Sequence, residues 1–593
     1  MFSLIDDPWI LVVDTDGNQR TVGIREIFAG EVKVASLRGE SPAQNFAIVR
    51  LLLAIFWRAH SRESKVEPGK TFNFVTWFEQ TRTNLLERGK DEMVLDYLEH
   101  YRDRFELLDS PTPFMQVADL EVPSGEVKHV TTIVPEAHED YFTMRAGKAR
   151  DSLSYAEAAR WLVYIQAYDV AGIKPGAKKD TRIDKRNKGY APGLGWTGRI
   201  GGVLIVGENL LDTLILNTCL SALENPEDYP VWERQPDGPG PRVKYNEKNN
   251  EDVPDNEPHG PADLATWQSR RIRLFTDGER VTGVLLCKGN NPPDDAESQF
   301  LDPMTSYKYS TEKSKNRKRD TYSPATFSPQ RTVWRALDAL IIAETDGGFS
   351  GKAKAPKRPE NLNNLAKLSQ YIDGIPSVLN VDLVAVEYDK RSNSVKVKST
   401  YAAQMGMPLV LLLEQSGQLR QAVREAASAT SEAARALERF AVNLLEAAGK
   451  VKDKDKEKRK KKTDEDPFTS ADQVLAELEP LFMSWLQNLA DFVPAIECEK
   501  GDNATDNIVR LVGDWQSKVR EIIVSQALIL LRGAGPKAMV GKIVTDSNGE
   551  GTKKVVSAGT YYQKLQRYLD QVLPLTSKQY KNEIEQERKV NHE

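Results

Sequence analysis

The segment AQNFAIVRLLLAIFWRA, residues 43–59, is apolar on nearly every side of a helical projection and dictates how the surrounding chain folds. A helix that is hydrophobic all round is a buried helix, so other elements must enclose it. Its most apolar part, Phe46–Trp57, contains Arg50 and is shorter than the roughly 18 apolar residues that a membrane helix needs. We therefore expect a core helix in a large domain, and no membrane partner.

Around this helix, the first two thirds of the chain mixes short strands with helices. Short apolar runs beside turn residues predict strands at 4–13, 201–206, 272–275, 280–287, 382–387 and 395–399. Helical periodicity predicts helices at 153–168, 210–223 and 334–344. Residues 224–262, rich in Pro, Asn, Gly and acids, are interpreted as an exposed acidic insertion. The pattern predicts an α+β fold whose large N-terminal mixed α/β domain covers residues 1–400.

From residue 401 to 593 the pattern becomes helical. Amphipathic helices are predicted at 418–448, 470–491, 507–532 and 561–572, and four such helices favour a C-terminal four-helix bundle. Two insertions interrupt them. Residues 450–466 form a low-complexity charged run, and residues 543–556 have the pattern of a hairpin around Asn548-Gly549.

The composition is that of a globular chain rather than a disordered or disulfide-stapled one. It has 593 residues, 40% hydrophobic and 28% charged, a length typical of two to four domains. The three cysteines lie far apart, and the N-terminus carries acids where a signal peptide needs basic residues. Cytoplasmic localisation is the expectation.

No catalytic, metal or cofactor site is convincing in the sequence. Gly193–Gly198 matches GxGxxG, but a basic loop precedes it and a strand follows, whereas a dinucleotide site needs a strand before and a helix after. The six histidines are scattered and none lies near a cysteine in sequence. Two functions other than nucleic-acid binding, for which the charge distribution below is the evidence, stay open: a nucleotide-dependent enzyme using this turn, and a scaffold whose basic loops bind acidic proteins.

Positive charge is concentrated in five segments although the whole chain has a net charge of −5. These segments are 174–188, 306–322, 352–358, 388–398 and 450–462, which together carry +22. Basic loops on an acidic body suit phosphate contact, whereas charge runs are often simply solvated. Tyr307, Tyr309 and Tyr322 either stack on bases or anchor their loop, and the segment 388–398 is either a wedge or a surface turn.

Several short motifs, in order along the chain, resemble the CasA family, the large subunit of the type I-E CRISPR surveillance complex (Cascade). They are Leu4–Ile10 (LIDDPWI), Ser36–Arg38 (SLR) before the buried helix, Thr112–Gln116 (TPFMQ), and Gln166-Ala167 before a Gly-bearing loop. The resemblance implies a non-catalytic subunit with an N-terminal mixed domain and a C-terminal four-helix bundle, and no cofactor.

The resemblance also implies partners. These are the 5′ handle of the guide RNA, target duplex DNA read at the protospacer-adjacent motif, the handle-binding and small subunits of Cascade, and the CRISPR helicase-nuclease. Such a subunit recognises the motif mainly from the minor groove, helps to open the duplex and recruits the nuclease.

Carried onto this sequence, the resemblance assigns nucleic-acid contacts to four segments. The glycine loop corresponds to Gly172, Ile173, Lys174, Pro175 and Gly176, where Pro175 departs from the family, with Lys178, Lys179 and Arg182 following it. Lys288 is the candidate for a lysine that reaches the groove. The wedge corresponds to Lys390, Arg391, Ser392, Asn393 and Ser394, and the guide-RNA loop to Tyr141, Phe142, Arg145, Lys148 and Arg150.

Overall fold

A computed structural model gives the fold of most of the chain. It describes residues 1–61, 72–108, 111–135, 151–189, 193–246, 250–291, 299–327, 333–343, 346, 354–389, 396–449, 470–490, 502–545 and 553–577. The chain divides into two compact units. The first comprises Met1–Pro329 and Gly347–Met405, and the second comprises Gln330–Asp346 and Gly406–Glu593.

Helices and strands alternate in the first unit, and helices dominate the second. The α-helices are Ile24–Ala29 (α1), Pro42–His60 (α2), Phe74–Arg88 (α3), Glu92–His100 (α4), Tyr155–Tyr168 (α5), Leu210–Leu216 (α6), Ser221–Glu224 (α7), Pro261–Ala265 (α8), Thr311–Arg317 (α9), Val333–Ile341 (α10), Glu360–Leu368 (α11), Gly417–Ala447 (α12), Ser470–Gln487 (α13), Asp502–Gly533 (α14), Gly535–Val540 (α15) and Ala558–Val572 (α16). The strands are Ile10–Asp14 (β1), Gln19–Val22 (β2), Val34–Leu37 (β3), Lys128–His129 (β4), Lys174–Pro175 (β5), Lys188–Gly189 (β6), Gly202–Val206 (β7), Val243–Asn246 (β8), Glu251–Pro254 (β9), Arg270–Thr276 (β10), Val281–Lys288 (β11), Tyr307–Tyr309 (β12), Tyr322–Pro324 (β13), Val378–Asp389 (β14), Lys396–Pro408 (β15), Lys542–Thr545 (β16) and Lys553–Val556 (β17). The predicted α+β class is confirmed.

Helix α2 is the core of the first unit, as its sequence predicts. The Ser41 hydroxyl accepts a hydrogen bond from the Gln44 amide (3.2 Å), and Pro42 takes the first helical position, which starts the helix sharply. Nearly every residue of the helix is buried against α4, α5, α8 and β14. The one charge in its apolar stretch, Arg50, is neutralised by the buried Asp302 at 2.9 Å.

Small antiparallel sheets surround this helix. Their strand orders are β2-β1-β3, β10-β11-β4 and β15-β14-β7. In the third sheet Leu383 lies opposite Val203, and both side chains are buried. The β10-β11 hairpin is confirmed where the sequence predicts it, and its C-terminal end at Lys288 leads towards the site described below.

Three expectations for the first unit need correction. The strand expected at 4–13 begins only at Ile10. The helix expected at 210–223 ends at Leu216, because the Asn217 side chain bonds both the amide and the carbonyl of Ile205 (3.0 and 2.7 Å). The 224–262 segment is not simply exposed: it buries Trp232 and contains the β8-β9 hairpin.

The second unit is organised around α12, which packs against α10, α13, α14, α15 and α16. The indole of Trp515 on α14 donates to the Thr430 hydroxyl on α12 at 3.0 Å. Helix α10 lies before residue 400 in sequence but belongs to this unit, because Asp338 pairs with Arg424 at 3.0 Å. The predicted charged run at 450–466 lies outside the described residues. No helix of the described residues is long and apolar enough to cross a membrane.

Candidate nucleic-acid interface

The glycine loop leaves the C-terminal end of α5 and returns as a small hairpin. Asp169 caps the helix, and the chain then runs through Gly172 into β5, which pairs with β6. A Cβ atom on Gly172 would meet nothing within 4 Å, and Ile173 beside it is 56% exposed. The backbone at Gly172 therefore faces open space, as close approach to a partner requires.

A buried ion cluster holds the base of this loop. The Asp169 carboxylate pairs with the Lys174 ammonium at 2.7 Å and with the Arg270 guanidinium. Burial opposes ionisation of Asp169, but Arg270 and Lys174 outweigh it and lower its pKa. Burial also lowers the pKa of Lys174, an effect that Asp169 offsets only in part. The family resemblance predicts a nucleic-acid contact for Lys174, whereas the structure places its ammonium against the buried Asp169 carboxylate.

Arg270 extends this cluster to the neighbouring backbone. Its guanidinium donates to the carbonyl oxygens of Val170 and Gly193 (3.0 Å each) and of Ser269 (2.7 Å). One buried cation therefore joins the start of the glycine loop to the turn at residue 193. No sequence motif singles out Arg270, because its partners are backbone atoms from distant positions.

Gly176 has a different role from Gly172. A Cβ atom at Gly176 would collide with the Ile183 side chain and approach the Asn187 carbonyl oxygen to 2.9 Å. Close packing inside the hairpin therefore accounts for this glycine. Pro175 lies opposite Lys188 in the hairpin, where its missing amide hydrogen is tolerated.

Most cations of the 174–188 segment have acidic partners. Lys178 pairs with Glu121 (2.8 Å), Lys179 with Asp119 (3.3 Å), and Arg182 with the buried Asp180 (2.9 Å). The pairs of Lys178 and Lys179 are exposed, so a phosphate can compete for these lysines.

Two other cations of this hairpin are better placed for phosphate. Lys185 and Lys188 are exposed, and within the described part of the chain neither has an ion pair. Both belong to the predicted basic segment, but no sequence pattern distinguishes them from their neighbours.

Lys288 lies against the same hairpin, although the two are far apart in sequence. Its side-chain stem occupies the space where a Cβ on Gly189 would lie, and Arg182 donates to the adjacent Gly289 carbonyl at 2.9 Å. Burial, followed by the Arg182 charge, lowers the pKa of Lys288. The structure thus brings two separately predicted site segments together.

The other two predicted sites fall where the structure gives no description. The wedge at 390–394 lies outside the described residues, between strands β14 and β15. In the described part of these two strands, Lys398 of β15 pairs with Glu387 of β14 at 2.8 Å. The guide-RNA loop residues 141–150 and the basic run 450–462 also lie outside the described residues.

The Gly193–Gly198 turn is built for packing rather than for a dinucleotide. A Cβ on Gly195 would collide with the carbonyl of Ala167, and one on Gly198 with the hydroxyl of Tyr388. The second half of this turn is a short 3-10 helix, Trp196–Arg199, and strand β7 follows it, instead of the α-helix whose N-terminus would hold a pyrophosphate. Among the residues that the structure describes, no group of three or more His, Cys, Asp or Glu is arranged to hold a metal ion.

Comparison with known proteins points to one family. The model of the family described as CRISPR-associated protein Cse1 matches residues 3–522. A curated protein, CRISPR-associated protein CasA/Cse1 of Thermus thermophilus, is 28% identical over 350 residues, or 57% of this chain and 60% of that relative. The match thus spans less than two thirds of the curated relative.

Solved structures extend the likeness over nearly the whole chain. Crystalline Cse1 of Thermobifida fusca is 31% identical, with a TM-score of 0.74, covering 97% of this chain and 99% of that one. A chain of a CRISPR RNA-guided surveillance complex has the same fold, with a TM-score of 0.57, 17% identity, and coverage of 89% of this chain and 99% of that one.

Proposed function

The chain belongs to the CRISPR-associated Cse1 family, and from that premise we propose that it reads the protospacer-adjacent motif of duplex DNA within an RNA-guided surveillance complex. The observation that carries this proposal is Gly172. Its backbone faces open space, while the buried cluster of Asp169, Lys174 and Arg270 fixes the loop from beneath. A rigid loop without a Cβ at its tip suits entry into a narrow groove.

The surroundings of Gly172 favour a nucleic-acid partner. Lys185 and Lys188 extend from the same hairpin, and Lys288 lies against it. In this proposal these lysines neutralise phosphates on either side of the groove, while Gly172 and Ile173 face the base edges. The minor groove distinguishes mainly A·T from G·C pairs, so such a loop reads a short, loosely defined motif.

The remaining roles follow from family membership and are part of the proposal. Residues 390–394 act as the wedge beside the first opened base pair, at an unstacking cost of a few kcal/mol. The segment 141–150 meets the 5′ handle of the guide RNA, and the helices of the second unit form the four-helix bundle. The subunit is non-catalytic, works in the cytoplasm beside the other Cascade subunits, and recruits the helicase-nuclease.

Substitution of Gly172 tests this function without disturbing the fold. Gly172→Val places side-chain atoms in open space, so the thermal unfolding midpoint should stay within about 1 °C of wild type. The valine blocks groove entry, so the assembled complex should lose its preference among target duplexes whose flanking bases are randomised. Gly238→Val is the matched control, because Gly238 also has nothing within 4 Å. Unchanged motif preference in the Gly172 variant would mean that this loop does not read the groove.

A further inference from the structure

The hairpin that carries the proposed wedge contacts the base of the glycine loop through the side chain of Tyr388. We call strands β14 and β15 the wedge stem, because residues 390–394 lie between them in sequence. The Tyr388 hydroxyl, near the end of β14, donates a hydrogen bond to the Tyr168 carbonyl oxygen at 2.8 Å. Tyr168 is the last residue of α5, and Asp169 after it begins the glycine loop. Two segments that lie 220 residues apart in sequence therefore meet at this hydrogen bond.

The hydrogen bond of Tyr388 is buried and well defined. Tyr388 is only 8% exposed, and its strand β14 pairs with β7, where Val384 lies opposite Gly202. Burial chiefly raises the pKa of Tyr388, so the hydroxyl stays protonated and remains a donor at neutral pH. A buried hydroxyl without a partner is costly, which favours the position in which Tyr388 reaches the end of α5.

The turn at 193–198 fits between the wedge stem and α5. The amide of Gly195 donates to the Asp169 carbonyl at 3.1 Å. A Cβ atom on Gly198 would approach the Tyr388 hydroxyl oxygen to 2.3 Å, so a residue without a side chain is needed there. The GxGxxG match of this turn thus reflects close packing at the point where α5, the turn and β14 meet.

This junction continues into the ion cluster beneath the glycine loop. The Asp169 carboxylate pairs with the Arg270 guanidinium, which also donates to the Gly193 carbonyl at 3.0 Å. Buried hydrogen bonds and ion pairs therefore connect Tyr388 to the residues that hold the glycine loop. The wedge stem and the glycine loop share one support.

We propose that Tyr388 is a positioning residue, which fixes the wedge stem relative to the glycine loop so that motif reading places the wedge at the first base pair to be opened. This inference rests on the proposed function, which assigns motif reading to Gly172 and duplex opening to residues 390–394. The Tyr388 hydroxyl is bonded inside the protein and acts through the stem, without touching DNA. A stem that is already in place avoids the cost of ordering it when the wedge enters the duplex.

The test uses Tyr388→Phe in the full complex with its guide RNA, because this change removes only the hydroxyl. Fluorescence anisotropy gives the affinity for a motif-bearing duplex without complementarity to the guide, which stays closed. A 2-aminopurine at the first target position gives the rate constant for opening a complementary duplex at saturating concentrations. A third duplex carries a mismatch at that first pair, so this pair is already open.

Tyr155→Phe is the matched control for loss of a hydroxyl. Tyr155 begins the helix that Tyr168 ends, and its hydroxyl lies 3.1 Å from the Thr276 hydroxyl, so a comparable hydrogen bond is lost at the other end of α5. Gly198→Ala perturbs the proposed contact from its other side, because the added methyl group displaces the Tyr388 hydroxyl. Combined with Tyr388→Phe it should add little, since the hydroxyl that it displaces is already absent.

Tyr388→Phe should bind the closed duplex with wild-type affinity and motif preference, because the ion cluster still holds the glycine loop. It should open the fully paired duplex about three- to tenfold more slowly, the range expected for losing one hydrogen bond between neutral groups. On the duplex whose first pair is already open, its rate should equal that of wild type. Gly198→Ala should also slow opening, and Tyr155→Phe should behave as wild type. Thermal midpoints, measured first, set a temperature at which all variants are folded.

Other outcomes overturn the inference. An unchanged opening rate, an equal slowing in Tyr155→Phe, or a slowing that persists on the pre-opened duplex would each exclude positioning of the wedge by Tyr388. A loss of closed-duplex affinity as large as the loss of opening rate would mean that Tyr388 only supports the glycine loop. If wild type itself showed no motif preference, the proposed function would fail, while the paired and pre-opened duplexes would still decide whether Tyr388 acts on opening.

Discussion

Replacement of Lys174 by methionine tests whether this lysine stabilises the fold or contacts phosphate, two roles that the sequence cannot distinguish. Methionine keeps most of the apolar stem and removes only the ammonium, whose nearest partner is Asp169 at 2.7 Å. The Lys174 side chain is only 12% exposed, so its charge is directed into the protein. We therefore expect Lys174→Met to change stability and to leave the number of phosphate contacts unchanged.

The remaining partner of Asp169 sets the size of the effect. Breaking an isolated buried ion pair costs about 3–5 kcal/mol, because the surviving charge is left without compensation. Here Arg270 stays on Asp169, so we expect a smaller loss of about 1–2 kcal/mol. The first unit has about 390 residues, and at about 2.1 cal/mol/K per residue this loss lowers its unfolding midpoint by about 1–3 °C.

Two measurements on the same variant check this reasoning. Calorimetry gives the thermal unfolding midpoint. Duplex binding by the assembled complex at several salt concentrations gives the slope of log affinity against log salt. Lys188→Met is the control, since its ammonium is exposed and without an ion pair among the described residues. In that variant the slope of log affinity against log salt should become shallower by about 0.9, while the stability should stay unchanged. The reasoning is refuted if Lys174→Met behaves in this way instead.

Two further predictions concern buried and half-buried charges of the first unit. Arg50→Met should lower the free energy of unfolding by about 3–5 kcal/mol in a denaturant titration, because it leaves the fully buried Asp302 carboxylate without its cation. The control Arg25→Met breaks exposed pairs with Asp6 and Glu99 and should cost about 0–1 kcal/mol. Equal losses in the two variants would contradict the argument. The His259 imidazole donates to the Asp255 carboxylate at 3.2 Å, and this hydrogen bond raises the His259 pKa above 6.5. Its stabilisation is therefore complete below pH 6.5 and is lost as the pH rises through the raised pKa. His259→Gln should destabilise more at pH 6 than at pH 8.5 in thermal melts, and a pH-independent difference would rule out the ion pair as the cause.

Hydrophobic periodicity predicts much of the secondary structure. Helix α2 begins at Pro42 behind the Ser41 cap, and α12 ends beside Gly449, both close to their predicted bounds. Periodicity fails where tertiary contacts end an element. The run from 210 to 223 has a helical pattern throughout. The helix nevertheless ends before Asn217, whose side chain makes two hydrogen bonds to the backbone of Ile205.

The candidate site is harder to predict because charge partners are distant in sequence. Counting charges in 174–188 gives +5, but this count omits Asp119, Glu121 and Asp169, which neutralise three of the lysines. The same limitation hides Arg270, which stabilises the loop through carbonyl groups more than 70 residues away in sequence. The packing of the Lys288 side chain against Gly189 of the hairpin also cannot be predicted from the sequence, because the fold brings these distant residues together.

The distribution of paired and unpaired cations has a consequence for specificity. Charges that are already neutralised inside the protein release few counter-ions on binding, so the glycine-loop hairpin contributes to the salt dependence mainly through Lys185 and Lys188. Motif reading by Gly172 depends on the shape of the backbone and carries no charge. Because phosphate contacts are the same for every sequence, raising the salt concentration weakens binding to all duplexes by the same factor. Motif preference should therefore stay constant over a salt range in which total affinity falls by orders of magnitude.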